Sequence, residues 1–255
     1  MIPIPIPEIA KLIDHALLHP TLTDAELQAG CKQALVYDVA SVCIKPYAVS
    51  MASALLAGSD VRVGTVIGFP HGSNALSIKV AETVQACQDG AVEIDMVVTI
   101  GKVLNEDWRY VTDEIRAVHY TCQTYGAVLK VIFETDFLSD DALKIRLCKI
   151  CTEVGVEFVK TSTGFGFVKD HTGKYDYKGA TEHDLQLMLD HVGPGVQVKA
   201  SGGIRTLDEL LKVKQMGVTR VGTSSTAAII TEAYQRFGLV DPHISTALIS
   251  DSKGY

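Results

Sequence analysis

Short runs of aliphatic and β-branched residues alternate along the chain with longer stretches in which apolar positions recur at the three- and four-residue spacing of a helix. The short runs are KLIDH (11–15), VASVCI (39–44), VRVGTVIG (61–68), VEIDMVV (92–98), AVLKVIFE (127–134), VEFVKTS (156–162), VQVKAS (196–201) and TRVGTS (219–224). Helical segments between them include TDAELQAGCKQALVY, NALSIKVAETVQACQDG and SDDALKIRLCKICTEVG. Thr23, Asn74 and Ser139 are their expected N-caps, and Gly90 and Gly155 stand where two of them should end. Such alternation predicts successive βα units around a parallel sheet. Eight units within 255 residues predict a single-domain α/β protein, a closed (β/α)8 TIM barrel rather than an open doubly wound sheet. No GxGxxG follows the first strand to favour a dinucleotide fold. The Pro-interrupted opening MIPIPIPEIAK reads as a surface arm over about residues 1–10, and about 245–255 as a flexible tail.

Composition adds limits to this frame. Hydrophobic residues make up 47% and charged residues 21% of the chain, enough for a sizeable core. A net charge of -7 argues against a nucleic-acid partner. The opening lacks a basic region and is too short for a signal peptide or membrane span, so a cytoplasmic protein with no membrane association is expected. Six cysteines are scattered through apolar stretches and read as free buried thiols. The CxxC of Cys148 and Cys151 falls in mid-helix, without the second ligand pair that zinc needs.

Barrel strands should be filled with Val, Ile and Leu, yet Asp95, Lys130, Lys160 and Lys199 interrupt four of these runs. Alternate residues of each strand face the barrel interior, so such side chains can meet near its C-terminal face. A lone strand lysine usually reaches solvent along its aliphatic stem. Several buried together imply mutual compensation or a chemical task, because an unpaired buried charge is costly. The task that uses paired lysines is imine formation. A lysine attacks a carbonyl only as the free amine, of which about 0.1% or less is present at neutral pH with an ordinary pKa. Burial and a neighbouring ammonium both lower that pKa, and Asp95 can shuttle the protons. Which lysine attacks stays open at this point.

The motifs KTSTGF (160–165), VKASGGIR (198–205), EIDMV (93–97) and GFPHG (68–72) together resemble the deoxyribose-phosphate aldolase family, in the right order and over nearly the whole chain. The resemblance implies that Lys160 forms the Schiff base, that Lys199 perturbs its pKa and that Asp95 transfers protons. It implies reversible cleavage of 2-deoxy-D-ribose 5-phosphate to acetaldehyde and D-glyceraldehyde 3-phosphate, with no metal or organic cofactor, and homodimers are common in that family. The expected partners are therefore a small phosphorylated sugar and aldehydes.

A phosphate needs converging backbone N–H groups, which glycine loops and helix N-termini supply. Gly164, then Gly202 and Gly203, then Gly222 with Ser224 and Ser225, offer three such loops after the last strands. Two positions depart from the family pattern. Phe165 stands where some members have a lysine, and Ala16 stands where many have a threonine near Asp14, itself expected at the sugar. Lys169, Lys174 and Lys178 lie just beyond, in a stretch whose simpler reading is a solvated loop. Cys43 is expected near the aldehyde, with a core thiol as the simpler account, and His71 reads as a loop-structuring residue. In some members a C-terminal tyrosine enters the site, a role open to Tyr255. Two rivals stand beside this reading: a Schiff-base aldolase for another sugar or keto acid, and a binding barrel that has lost its chemistry. The retained Lys160, Lys199 and Asp95 speak against the second.

Overall fold

Every apolar run expected to form a strand does so in the computed structural model, which describes residues 4–169 and 171–242. The strands are β1 (Ile13–Leu17), β2 (Ser41–Ile44), β3 (Arg62–Ile67), β4 (Glu93–Val97), β5 (Val128–Ile132), β6 (Phe158–Lys160), β7 (Val168–Lys169), β8 (Tyr175–Asp176), β9 (Gln197–Ser201) and β10 (Arg220–Thr223). Eight of them close a barrel in the order β1-β10-β9-β6-β5-β4-β3-β2, with every neighbouring pair parallel. Helices fill the crossovers, as parallel pairing requires. The two extra strands, β7 and β8, pair antiparallel, so the stretch expected to be a solvated loop is built around a short hairpin whose Lys169, Lys174 and Lys178 are exposed.

Local chemistry explains where the elements begin and end. Thr23 caps its helix as expected, in a complete capping box with Glu26, and Thr206 does the same with Glu209. Two expected caps are displaced by one residue. Asn74 bonds the Glu82 carboxylate instead of a helix N–H, leaving Ala75 as an uncapped start. Asp140 rather than Ser139 accepts from the first turn, at the N–H of Ala142. Gly155 ends its helix in the left-handed conformation, and Gly90 follows directly on the end of another.

The expected N-terminal surface arm is a short helix, Ile6–Ala10, with Ile6, Ile9 and Ala10 buried against the last described helix, Thr226–Arg236. Lys11 and Leu12 are taken up in closing it, which is why β1 starts two residues later than its apolar run. No helix among the described residues is long and apolar enough to cross a membrane.

The main core lies between the barrel wall and its helices, where Leu27, Ile94, Val118, Leu147, Leu185 and Ile229 are wholly buried. A smaller apolar group, Leu18, Cys43 and Val66 with Phe69 and Phe165 packed against it, stands apart from that core. It sits at the C-terminal ends of β1, β2 and β3, beside the loop after β6. The barrel interior below this group is polar.

Candidate active site

Four of the largest fully enclosed side chains are lysines. Lys79 belongs to the outer layer, where it pairs with Glu114. Lys130, Lys160 and Lys199 project inward from β5, β6 and β9, and the register sets Lys160 directly beside Lys199 and Asp95 beside Lys130. Inward-facing positions recur every second residue. The same alternation therefore brings in Asp14, Ser41, Glu93 and Arg220.

Asp95 is the hub. One of its oxygens accepts from Lys160 Nζ at 2.7 Å and from Lys199 Nζ at 2.7 Å, while the other faces Lys130 Nζ at 3.0 Å. Lys199 has a second carboxylate, Asp14, at 2.5 Å. Lys130 has two more, Glu93 at 2.5 Å and Asp14 at 3.3 Å. Arg220 donates to both Asp14 and Glu93, and Ser41 donates to Asp14 at 2.8 Å. Lys160 alone among these cations has a single carboxylate partner.

Counting charges shows what this asymmetry does. Asp14, Glu93 and Asp95 supply three negative charges, which Lys130, Lys199 and Arg220 match with three positive ones. Arg62 also approaches Glu93, but at 3.5 Å and 58% exposed it is screened by solvent. A proton on Lys160 would be the unmatched charge in an enclosure where imbalance is expensive. Burial, followed by the neighbouring Lys199, accordingly holds the Lys160 pKa below its ordinary value despite Asp95. Burial opposes the Lys199 ammonium too, but Asp14 and Asp95 outweigh it and the pKa lies above the ordinary value. Burial would likewise raise Asp95, but Lys130, Lys160 and Lys199 overcome it and keep the carboxyl well below its usual range. The lysine pair is therefore unequal: Lys160 holds its proton less tightly than an ordinary lysine and Lys199 more tightly.

Asp14 is wholly enclosed by Lys130, Lys199, Arg220 and Ser41. It was expected at the sugar, and instead it stands beneath the lysines as the counter-ion that keeps Lys199 charged. Glu93 and Arg220 were missed in the sequence. Each is the first residue of its strand, where a charge ordinarily reads as the strand's solvated start. The available signal was spacing: Glu93 is two residues before Asp95 and so shares its face.

The three loops expected at the phosphate follow β6, β9 and β10, which are neighbours in the barrel. Gly202 and Gly203 both have positive φ, 93° and 86°, while Ser224 and Ser225 are half-buried immediately before the helix that begins at Thr226. Gly222 belongs to β10 itself rather than to the loop beyond it. A Cβ there would lie 2.7 Å from Ser201 Oγ and 3.3 Å from Lys199 Cε, so its bare backbone makes room for Lys199. Thr161, next to Lys160, ties two of the loops together: its hydroxyl donates to Ser201 O at 2.9 Å and accepts from Ser201 N–H at 3.0 Å.

Opposite these loops Cys43 is 3% exposed within the small apolar group. Burial, with the nearby Asp95, pushes its thiol up to about 11, so it is neutral and a poor nucleophile. Phe165 meets Phe69 edge to face at 5.6 Å. The side chain after the KTSTG glycine thus extends an apolar wall. His71 is exposed in its turn, and Tyr255 lies outside the described residues.

Comparison with known proteins places this arrangement. The model of the DeoC/LacD family aldolases matches residues 8–229. The deoxyribose-phosphate aldolase of Rhodopirellula baltica is 48% identical over 248 residues, 97% of each chain. Among solved structures, the aldolase QR15 superposes with a TM-score of 0.81 at 34% identity, covering 91% of this chain and 99% of that one. The deoxyribose phosphate aldolase of Aeropyrum pernix, described as uniquely tetrameric, has a TM-score of 0.79 at 30% identity, covering 91% and 93%. With its fold and nearly its whole length matched in this way, the chain belongs to the DeoC/LacD family of aldolases.

Proposed function

We propose that this chain is a class I deoxyribose-phosphate aldolase that reversibly cleaves 2-deoxy-D-ribose 5-phosphate to acetaldehyde and D-glyceraldehyde 3-phosphate. The observation that carries the reading is Lys160, which alone among the four described interior basic residues of the barrel has a single carboxylate partner, Asp95, shared with two other lysines. Its neutral amine attacks the C1 aldehyde, and loss of water from the carbinolamine gives an iminium. Asp95, within 2.7 Å of Nζ, is placed to relay the protons. The iminium then draws electrons from the C2–C3 bond as the C3 hydroxyl loses its proton. D-Glyceraldehyde 3-phosphate departs, leaving an enamine on Lys160. Protonation at the terminal carbon and hydrolysis release acetaldehyde and regenerate the amine. Lys199 stays charged throughout, held by Asp14 and Asp95. The glycine loops after β6 and β9, with Ser224 and Ser225 at the helix N-terminus after β10, offer the phosphate backbone N–H groups.

Borohydride reduction of the protein with deoxyribose 5-phosphate or acetaldehyde, followed by mass mapping, tests this reading. The expected adduct is on Lys160, and an adduct elsewhere or none would overturn the mechanism. A companion test concerns Lys199. In Lys199→Leu two cations face three carboxylates, so a proton on Lys160 restores the balance and its pKa rises. The acid limb of the pH–rate profile is expected to move upward, and for every tenfold rise in proton affinity turnover at pH 7 should fall about 10-fold. An unmoved limb would remove Lys199 from this role.

A further inference from the structure

One buried acid beside the lysines has no part in the chemistry above. Glu134 follows β5, is wholly buried and has φ 56°, a left-handed conformation that costs an ordinary residue about 1 kcal/mol or more. Its neighbours are stitched to the nucleophile's strand: Phe133 N–H donates to Lys160 O at 2.9 Å and Thr135 N–H to Thr161 O at 3.2 Å. Its carboxylate accepts from Thr163 N–H at 3.1 Å and, in a shorter contact, from the Thr163 hydroxyl. The Thr163 hydroxyl oxygen in turn accepts from Phe165 N–H at 2.9 Å. Gly166 presses on the far side, where a Cβ would lie 2.7 Å from Glu134 Cδ. One carboxylate therefore holds Thr163 directly and Phe165 through the Thr163 hydroxyl, with Gly166 packed against it, in the segment that leads away from Lys160.

We infer that Glu134 is a positioning residue: ionised, it clasps Thr163 and holds the loop after β6 in its substrate-binding shape, and on protonation the clasp loosens. The bonding itself requires this dependence. A carboxylate makes charge-assisted bonds about twice as strong as those of the neutral acid, so protonation weakens its hold on the Thr163 N–H and hydroxyl. The groups facing it decide where the change falls. Burial raises its pKa to about 7, against the Thr163 bonds, with Asp136 raising it further and Lys160 lowering it. Substrate affinity is therefore tied to pH near neutrality by a group other than the nucleophile.

The role in substrate binding rests on the aldolase reading, and two measurements separate them. Glu134→Gln mimics the protonated acid at every pH. The ratio of its KM for deoxyribose 5-phosphate to that of the wild type is expected to be near one below about pH 6 and about 10-fold above pH 8, with kcat altered by less than about 2-fold. A ratio independent of pH, or a loss confined to kcat, would overturn the inference. The second measurement needs no substrate: the Thr163 amide proton shift of the full chain, followed by NMR, should titrate near pH 7 in the wild type and stay fixed in Glu134→Gln. Should that variant not fold, Thr163→Val opens the clasp from its other side, with the same KM expectation. A wild type without aldolase activity would sink the aldolase reading while the amide titration still judged the clasp, and an amide that does not titrate would sink the clasp.

Discussion

Lys160→Met is expected to lose at least about 10^4-fold in kcat/KM for deoxyribose 5-phosphate, since the neighbouring Lys130 and Lys199 are held as cations by their carboxylates, and single nucleophile deletions cost up to about 10^6-fold elsewhere. Borohydride should then trap nothing. The same variant should unfold at nearly the temperature of the wild type. Methionine is close to lysine in volume and shape, and on the proposed reading the amine it replaces carries no charge at rest, so three carboxylates still face three cations. What is lost is one hydrogen bond to Asp95, about 1 kcal/mol. A strong destabilisation, visible in denaturant titration, would mean that Lys160 is charged at rest and that the balance described above is mistaken.

Asp95→Asn should behave in the opposite way. The side chain keeps its shape, but Lys130, Lys160 and Lys199 lose the carboxylate they share, and two anions are left among three persistent cations. Breaking a buried ion pair from one side costs about 3–5 kcal/mol, so a fall of this size in unfolding free energy is expected. The amine of Lys160 becomes easier still to deprotonate, yet turnover should drop by about 10^2- to 10^4-fold because the proton relay is gone. Together the two variants separate chemistry from electrostatic support. Equal stability losses in both would contradict the assignment of Lys160 as the neutral member.

These expectations rest on features that were legible in the sequence to different degrees. Strand positions were open to reading because parallel barrel strands are buried on both faces and therefore appear as nearly continuous apolar runs. For the same reason lysine and aspartate inside them stood out. Which lysine attacks was not visible in the pattern of residues, since Lys160 and Lys199 sit in similar runs. The distinction comes from Asp14, which approaches Lys199 across the barrel from β1, a contact between residues far apart in the chain. Glu93 and Arg220 were hidden by their place at strand starts. Asn74 shows a different limit, because a residue suited to capping bonds whichever partner lies nearer. Glu134 looked like the end of an apolar run, and its partner Thr163 lies a whole helix away in sequence.

The seam between β1 and β10 joins the first and last strands of the barrel, and Asp14 and Arg220 stand on its two sides. The reactive amine is therefore a product of ring closure. In the unfolded chain Lys160 is an ordinary protonated lysine, indifferent to passing aldehydes. In the proposed mechanism it becomes a nucleophile only when both ends of the barrel wall have met, so that Lys160 is buried and Lys199 beside it is held charged by Asp14 and Asp95. Activity on that reading reports completion of the fold.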